Sequence, residues 1–178
     1  MAKLKGSRTE ANLQAAFASE AVARTKFDAY AGAAKTDGFE QIAAYFYETA
    51  NNEKEHAEVW LKKLALLGQT PANLTAAVAE EHEELAVMYK EFAKVAEEEG
   101  FSDLAELFEK VGTIEKRHGK RYNALLANIE KGTVFKRDEE TFWICRSCGH
   151  VHKGAEPPQT CPVCSYAQAF FELLVKDY

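Results

Sequence analysis

A glutamate followed about nine helical turns' worth of chain later by Glu-x-x-His occurs twice: Glu20 precedes Glu53-x-x-His56 by 33 positions, and Glu81 precedes Glu115-x-x-His118 by 34. Three-residue spacing puts a carboxylate and an imidazole one turn apart on the same side of an α-helix. Each of these residues also interrupts an apolar stripe. Glu20 falls on the face of Leu13, Ala16, Phe17, Phe27 and Ala31, and Glu53 with His56 on that of Ile42, Phe46, Thr49, Trp60 and Leu64. Glu81, with an additional Glu84, falls among Leu74, Ala77, Met88, Phe92 and Val95. Glu115 and His118 fall among Leu104, Phe108, Val111, Tyr122, Leu125 and Ile129. Burying so many carboxylates without counter-charge costs several kcal/mol each, or forces them neutral through large pKa shifts. Bound cations remove that cost. One Glu from each of two helices plus Glu-x-x-His from each of two others is the donor set of carboxylate-bridged di-iron and di-manganese bundles.

The bland alternative for one Glu-x-x-His is a pair on a solvated helix, and alone it is the better reading. Two such motifs in register, each with a partner Glu on a buried stripe, point to a binuclear centre. Glu84 has no counterpart in the first half, so asymmetry is expected there. His82, Glu83, the run Glu97-Glu98-Glu99, Lys116, Arg117, Lys120 and Arg121 read as solvated surface.

Asp37-Gly38, Gly68-Gln-Thr-Pro71, Gly100 and Gly132 stand where helices would start or stop. They predict four helices over residues 9–36, 38–67, 72–99 and 101–131, each about 40 Å long, and hence a four-helix bundle. With 47% of 178 residues apolar, the chain has material for a packed core. After Gly132 the composition turns to short β-rich runs broken by Gly149, Gly154, Pro157, Pro158 and Pro162. The predicted organisation is a bundle over residues 1–134 and a turn-rich module over 135–178, too small to hold together without a staple.

Cys145-x-x-Cys148 and Cys161-x-x-Cys164, 12 residues apart, supply that staple: two knuckles suited to one metal in a tetrahedron of thiolates. The spacing alone does not choose between zinc and iron, and a structural zinc ribbon is the plain reading. Attachment to a candidate di-iron bundle favours a one-electron iron centre that feeds it. His150 and His152 read as loop residues, because four thiolates already complete the shell.

A net charge of −6 leaves no positive field for nucleic acid or an anionic membrane surface. No uncharged apolar run approaches the roughly 18 residues of a membrane span, and the start Met1-Ala-Lys-Leu-Lys-Gly-Ser-Arg8 has no apolar stretch behind its charge. A soluble, cytoplasmic protein is expected, with thiols free for metal. No Gly-rich dinucleotide loop is present, so any NAD(P)H requirement implies a separate reductase.

Taken together, Glu20, Glu53-x-x-His56, Glu81-x-x-Glu84 followed by Met88-Tyr89, Glu115-x-x-His118, and Gly132-Thr-Val-Phe-Lys-Arg137 leading into the knuckles resemble the rubrerythrin family over nearly the whole chain. The resemblance implies a mainly α protein: a ferritin-like four-helix bundle followed by a small rubredoxin-like, metal-stapled β/turn domain. It implies binuclear non-haem iron, one Fe(Cys)4 iron, and reduction of hydrogen peroxide to water. Glu53 and Glu115 would be the bridging carboxylates, Glu20 would sit on one iron, and Glu81 with His118 on the other. His56 and Glu84 would be alternatives exchanged on oxidation. Electrons would come from a separate NAD(P)H-dependent reductase or a rubredoxin, and the protein would be a homodimer or higher homo-oligomer. Two positions depart from the family pattern: Phe27 replaces a tyrosine common seven residues after the first ligand, with Tyr30 nearby and Tyr89 retained, and Glu80 replaces a frequent glycine. Neither is a ligand. The rival readings are a ferroxidase or iron-handling protein, and a zinc-stapled interaction protein. Topology divides spacing from resemblance: the short link after Gly68 reads as a plain up-down-up-down turn, whereas a ferritin-like bundle needs a crossover. That demands either that part of residues 68–80 be extended or that helices be exchanged between subunits.

Overall fold

A computed structural model describes residues 3–175, apart from the side chains at 84–86. The chain divides into two compact units, Met1–Gln69 and Thr70–Tyr178. The first is a hairpin of α1 (Arg8–Thr36) and α2 (Glu40–Lys63). The second holds α3 (Thr70–Glu83), a π-helical turn (Glu84–Tyr89), α4 (Lys90–Glu98) and α5 (Ser102–Glu130), then β1 (Thr141–Cys145), β2 (Val151–Gly154) and β3 (Phe171–Leu173). The expected class holds: long helices followed by a small sheet region that carries the cysteines. The composition boundary near Gly132 lies inside the second unit, between α5 and β1.

The two hairpins repeat one design with an offset of 62 residues. Gly38-Phe39 turns the first and Gly100-Phe101 the second. Both glycines sit at positive φ, +84° and +83°, where a Cβ is strained, and the following Phe amides reach back to the Ala34 and Ala96 carbonyls at 2.8 Å. Along the seams the buried residues are small and, but for Ala57 opposite a half-buried Gly119, in matching places: Ala31, Ala34, Ala43 and Ala50 in the first unit, Ala93, Ala96, Ala105 and Gly112 in the second. Small side chains at seven-residue spacing on α2 and α5 let the paired helices approach closely. Beside each seam lies an aromatic trio, again in register. Phe27, Tyr30 and Phe46 have centroids 5.6–6.2 Å apart, and Tyr89, Phe92 and Phe108 5.6–6.4 Å.

The π-turn accounts for the one break in this repeat. Glu20 to Glu81 is 61 positions, but Phe27 to Tyr89, Glu53 to Glu115 and His56 to His118 are each 62. A π-turn absorbs one extra residue within a helix, so a single insertion between Glu81 and Tyr89 leaves both on the faces that their counterparts occupy. The surplus Glu84 opens that turn.

Three expectations need correction. The second helix ends at Lys63, not at 67, because the chain closes over itself: the Leu66 amide bonds the Leu61 carbonyl at 3.2 Å with Ala65 at φ +56°. The third helix starts at Thr70 and is continuous through residue 80, so no extended crossover exists in 68–80 and the link is only residues 64–69. Finally, Ile42, Phe92, Val95, Leu104 and Leu125, read as core, are exposed. A two-helix hairpin covers only the side of each stripe that faces its mate, and alanine occupies that side.

The terminal module is built around Trp143, Cys145, Cys161 and Phe171, all buried. β1 is central in the antiparallel order β2-β1-β3. The Trp143 indole N–H donates to the Gly154 carbonyl at 3.0 Å, and the Arg137 guanidinium lies 5.7 Å over its ring. No helix among the described residues is long and apolar enough to cross a membrane.

Candidate metal centres

Each hairpin assembles a trio of ligand types. In the first, His56 Nδ1 lies 2.9 Å from Glu53 Oε2 and 3.9 Å from Glu20 Oε2. In the second, His118 Nδ1 lies 2.8 Å from Glu115 Oε2 and 3.7 Å from Glu81 Oε2. Within each trio one ligand atom per residue falls within 4.8 Å of all the others. The i,i+3 spacing sets the Glu–His contact, and the close helix seam brings the partner Glu across. On α5 this approach is tight: a Cβ built at Gly119 would meet Glu81 Cβ at 3.4 Å. The two trios differ in cover, His56 being 55% exposed and His118 33%.

The electrostatics show the carboxyl groups to be crowded. Glu20 is held above its ordinary range, first by a hydrogen bond with Glu53, then by burial and the Glu53 charge. Glu53 is held below its range by the same bond and by His56. Two acids thus crowd each other beside an imidazole, and a bound cation would relieve that crowding. Carboxylate oxygen and imidazole nitrogen suit iron, and the half-buried trios fit it.

The four sulfurs form the third group. Cys145 and Cys164 Sγ are 3.7 Å apart and Cys148 and Cys161 Sγ 3.6 Å. A tetrahedron with metal–sulfur bonds of about 2.3 Å has edges of about 3.8 Å, so the cradle has the right size. Its two halves are folded alike. The Cys145 amide bonds the His150 carbonyl at 2.9 Å and Gly149 N–H returns to Cys145 at 2.8 Å; Cys161 bonds Tyr166 at 2.8 Å and Ser165 returns to Cys161 at 3.0 Å. Gly149 and Ser165 both take positive φ to make this possible.

Backbone amides sort the thiols. At Cys148 the His150 amide pulls downward, but burial and the three neighbouring sulfurs prevail and push it up to about 12. At Cys161 burial is outweighed by the Cys164 and Val163 amides and the adjacent thiols, bringing it down to about 7. A metal must displace the protons that remain.

Of the residues singled out from sequence, Glu20, Glu53 and His56 come together, as do Glu81, Glu115 and His118, and the four cysteines. The Glu84 side chain lies outside the described residues. Sequence reading passed over the alanine seams, the aromatic trios and the π-turn, although the 62-residue offset and its single slip were there to find.

Both parts of the chain are similar to known proteins. The family model described as Rubrerythrin matches residues 11–126, and Rubrerythrin, rubredoxin-like domain, matches 143–172. Rubrerythrin-1 of Clostridium acetobutylicum is 43% identical over 195 aligned positions, covering all of both chains. Rubrerythrin of Nitratidesulfovibrio vulgaris is 43% identical over 187, covering 98% of each. Among solved structures, a partially reduced state of nigerythrin shares 31% identity over 94% of this chain and 87% of that one, with a TM-score of 0.37. The Glu/His groups thus belong to a di-iron site and the four cysteines to a rubredoxin-like iron site.

Proposed function

This chain belongs to the rubrerythrin family, and on that premise we propose that it is a non-haem di-iron peroxidase that reduces hydrogen peroxide to water. The observation that carries the proposal is the pair of matching Glu, Glu, His trios on the same chain as a four-cysteine iron cradle. Iron-based redox chemistry follows from the family; the peroxide substrate is our reading. Bound irons supply two electrons, and hydrogen peroxide with two electrons and two protons gives two waters. Glu53 and Glu115, each beside the histidine one turn away, would be the carboxylates that the two irons share, and Glu20, Glu81, His56, His118 and Glu84 would complete the ligand set. These side chains would offset the charge of the irons, and the partly open trios leave a route for peroxide and for protons from solvent.

Residues 1–134 act as the iron-binding bundle and 135–178 as the electron relay. A single Fe(Cys)4 centre passes one electron at a time, so each turnover needs two transfers. The reductant is a separate NAD(P)H-dependent reductase or a rubredoxin, and four cysteines kept for metal support a reducing, cytoplasmic setting. Stopped-flow mixing of the reduced protein with peroxide, and separately with oxygen, tests the proposal. Oxidation by peroxide should be the faster; faster oxidation by oxygen overturns it in favour of a ferroxidase.

A further inference from the structure

Trp60 carries a buried donor with no acceptor. It stands on the α2 face of Glu53 and His56, one turn after the histidine. Its indole Nε1 is buried and closes no hydrogen bond among the described residues. Buried polar groups are nearly always paired, and leaving one unpaired is destabilising. Trp143, the other of the two tryptophans, follows that rule by donating to the Gly154 carbonyl at 3.0 Å. The group that Trp60 acts on is Glu20, across the seam on α1. Glu20 is held above the ordinary carboxylate range first by its hydrogen bond with Glu53, then by burial and the Glu53 charge; the Trp60 N–H works against these by favouring the charged form. The matching position on α5, 62 residues later, is Tyr122. A phenol can donate or accept, whereas an indole only donates, so the donor-only group is peculiar to the first trio. Phe27, the counterpart of Tyr89, adds no hydroxyl there.

We propose that Trp60 is a positioning residue for the first trio: its indole N–H donates to Glu20 once that carboxylate serves as a metal ligand, and holds it in place. Ligation requires Glu20 and Glu53 both to be ionised, which ends the hydrogen bond between them. Glu20 then presents two oxygens, enough to bind a cation and to accept from Trp60 together. Ligating carboxylates are generally held by such a partner. The proposal rests on the di-iron reading above, and it adds a residue that acts through a ligand.

Zinc, which is diamagnetic and accepts carboxylate and imidazole, lets the indole be watched directly. In the full chain with zinc already at the cysteines, nitrogen-edited spectra contain two indole signals, and Trp60→Phe assigns them by removing one. Further zinc, taken up by the helices, should move the Trp60 proton downfield and slow its exchange with solvent. The Trp143 signal, already bonded to Gly154, should stay where it is. In Glu20→Ala the Trp60 signal should keep its starting position at every zinc concentration. Trp60→Phe retains an apolar ring without the N–H, and it should weaken zinc uptake by the helices roughly 10–100-fold with far-UV helicity unchanged. A wild-type Trp60 signal that is the same before and after uptake overturns the proposal, as does a Trp60→Phe chain with wild-type affinity. Wild-type helices that take up neither zinc nor iron overturn the di-iron reading and the proposal with it, and the metal count alone tells that outcome apart.

Discussion

Glu115→Ala should lower peroxide-dependent turnover by at least ~100-fold while leaving the visible absorbance of the Fe(Cys)4 site intact. Even groups that merely support a metal ligand account for roughly 10–100-fold in affinity or activity, and the effect of removing a ligand should be no smaller. Glu115 receives the 2.8 Å contact from His118, so its loss also frees that imidazole. Glu53 stands in the same relation to His56 at 2.9 Å, 62 residues earlier. Glu53→Ala should therefore be as damaging, and steady-state assays on both variants check it. If one were silent and the other severe, the assignment of both as shared carboxylates would be wrong. Glu97→Ala, on the solvated face of α4, is the control and should leave turnover unchanged.

Cys161→Ser with Cys164→Ser should unfold the terminal module and spare the helices. Trp143, Cys145, Cys161 and Phe171 form the buried hydrophobic cluster there among the described residues, and two of the four are ligands. Binding of a structural metal by small modules of this kind is worth about 10–16 kcal/mol, far more than burying one Trp and one Phe supplies. In nitrogen-edited spectra the Trp143 indole resonance should move to its unfolded position as its bond to Gly154 is lost, while far-UV helicity persists. Retained dispersion for residues 141–173 would show that the sheet stands without metal. Functionally, turnover driven by a reductase should cease, yet a chemically reduced sample should still be oxidised once by peroxide. That split separates the relay from the site of reduction.

The ligands were legible because their signals are local. Glu-x-x-His and Cys-x-x-Cys report one turn of backbone each, and turn geometry does not depend on the remainder of the fold. Which apolar residues are buried was less legible. Phe92 and Leu104 stand directly before Ala93 and Ala105, about 100° round the helix from them, and only the angle at which two helices meet decides that the alanines face the seam.

Residue types and their spacing were enough to specify long helices, two matched sets of Glu and His, and a cradle of four sulfurs, because these depend on contacts a few positions apart. Where α2 stops, that residues 70–80 are helical, and that one residue is accommodated in a π-turn were settled by the folded chain. Those outcomes turn on hydrogen bonds such as Leu66 to Leu61 and on close helix contact at Gly119. Such contacts come from competition among neighbours in space, which no short stretch of sequence contains.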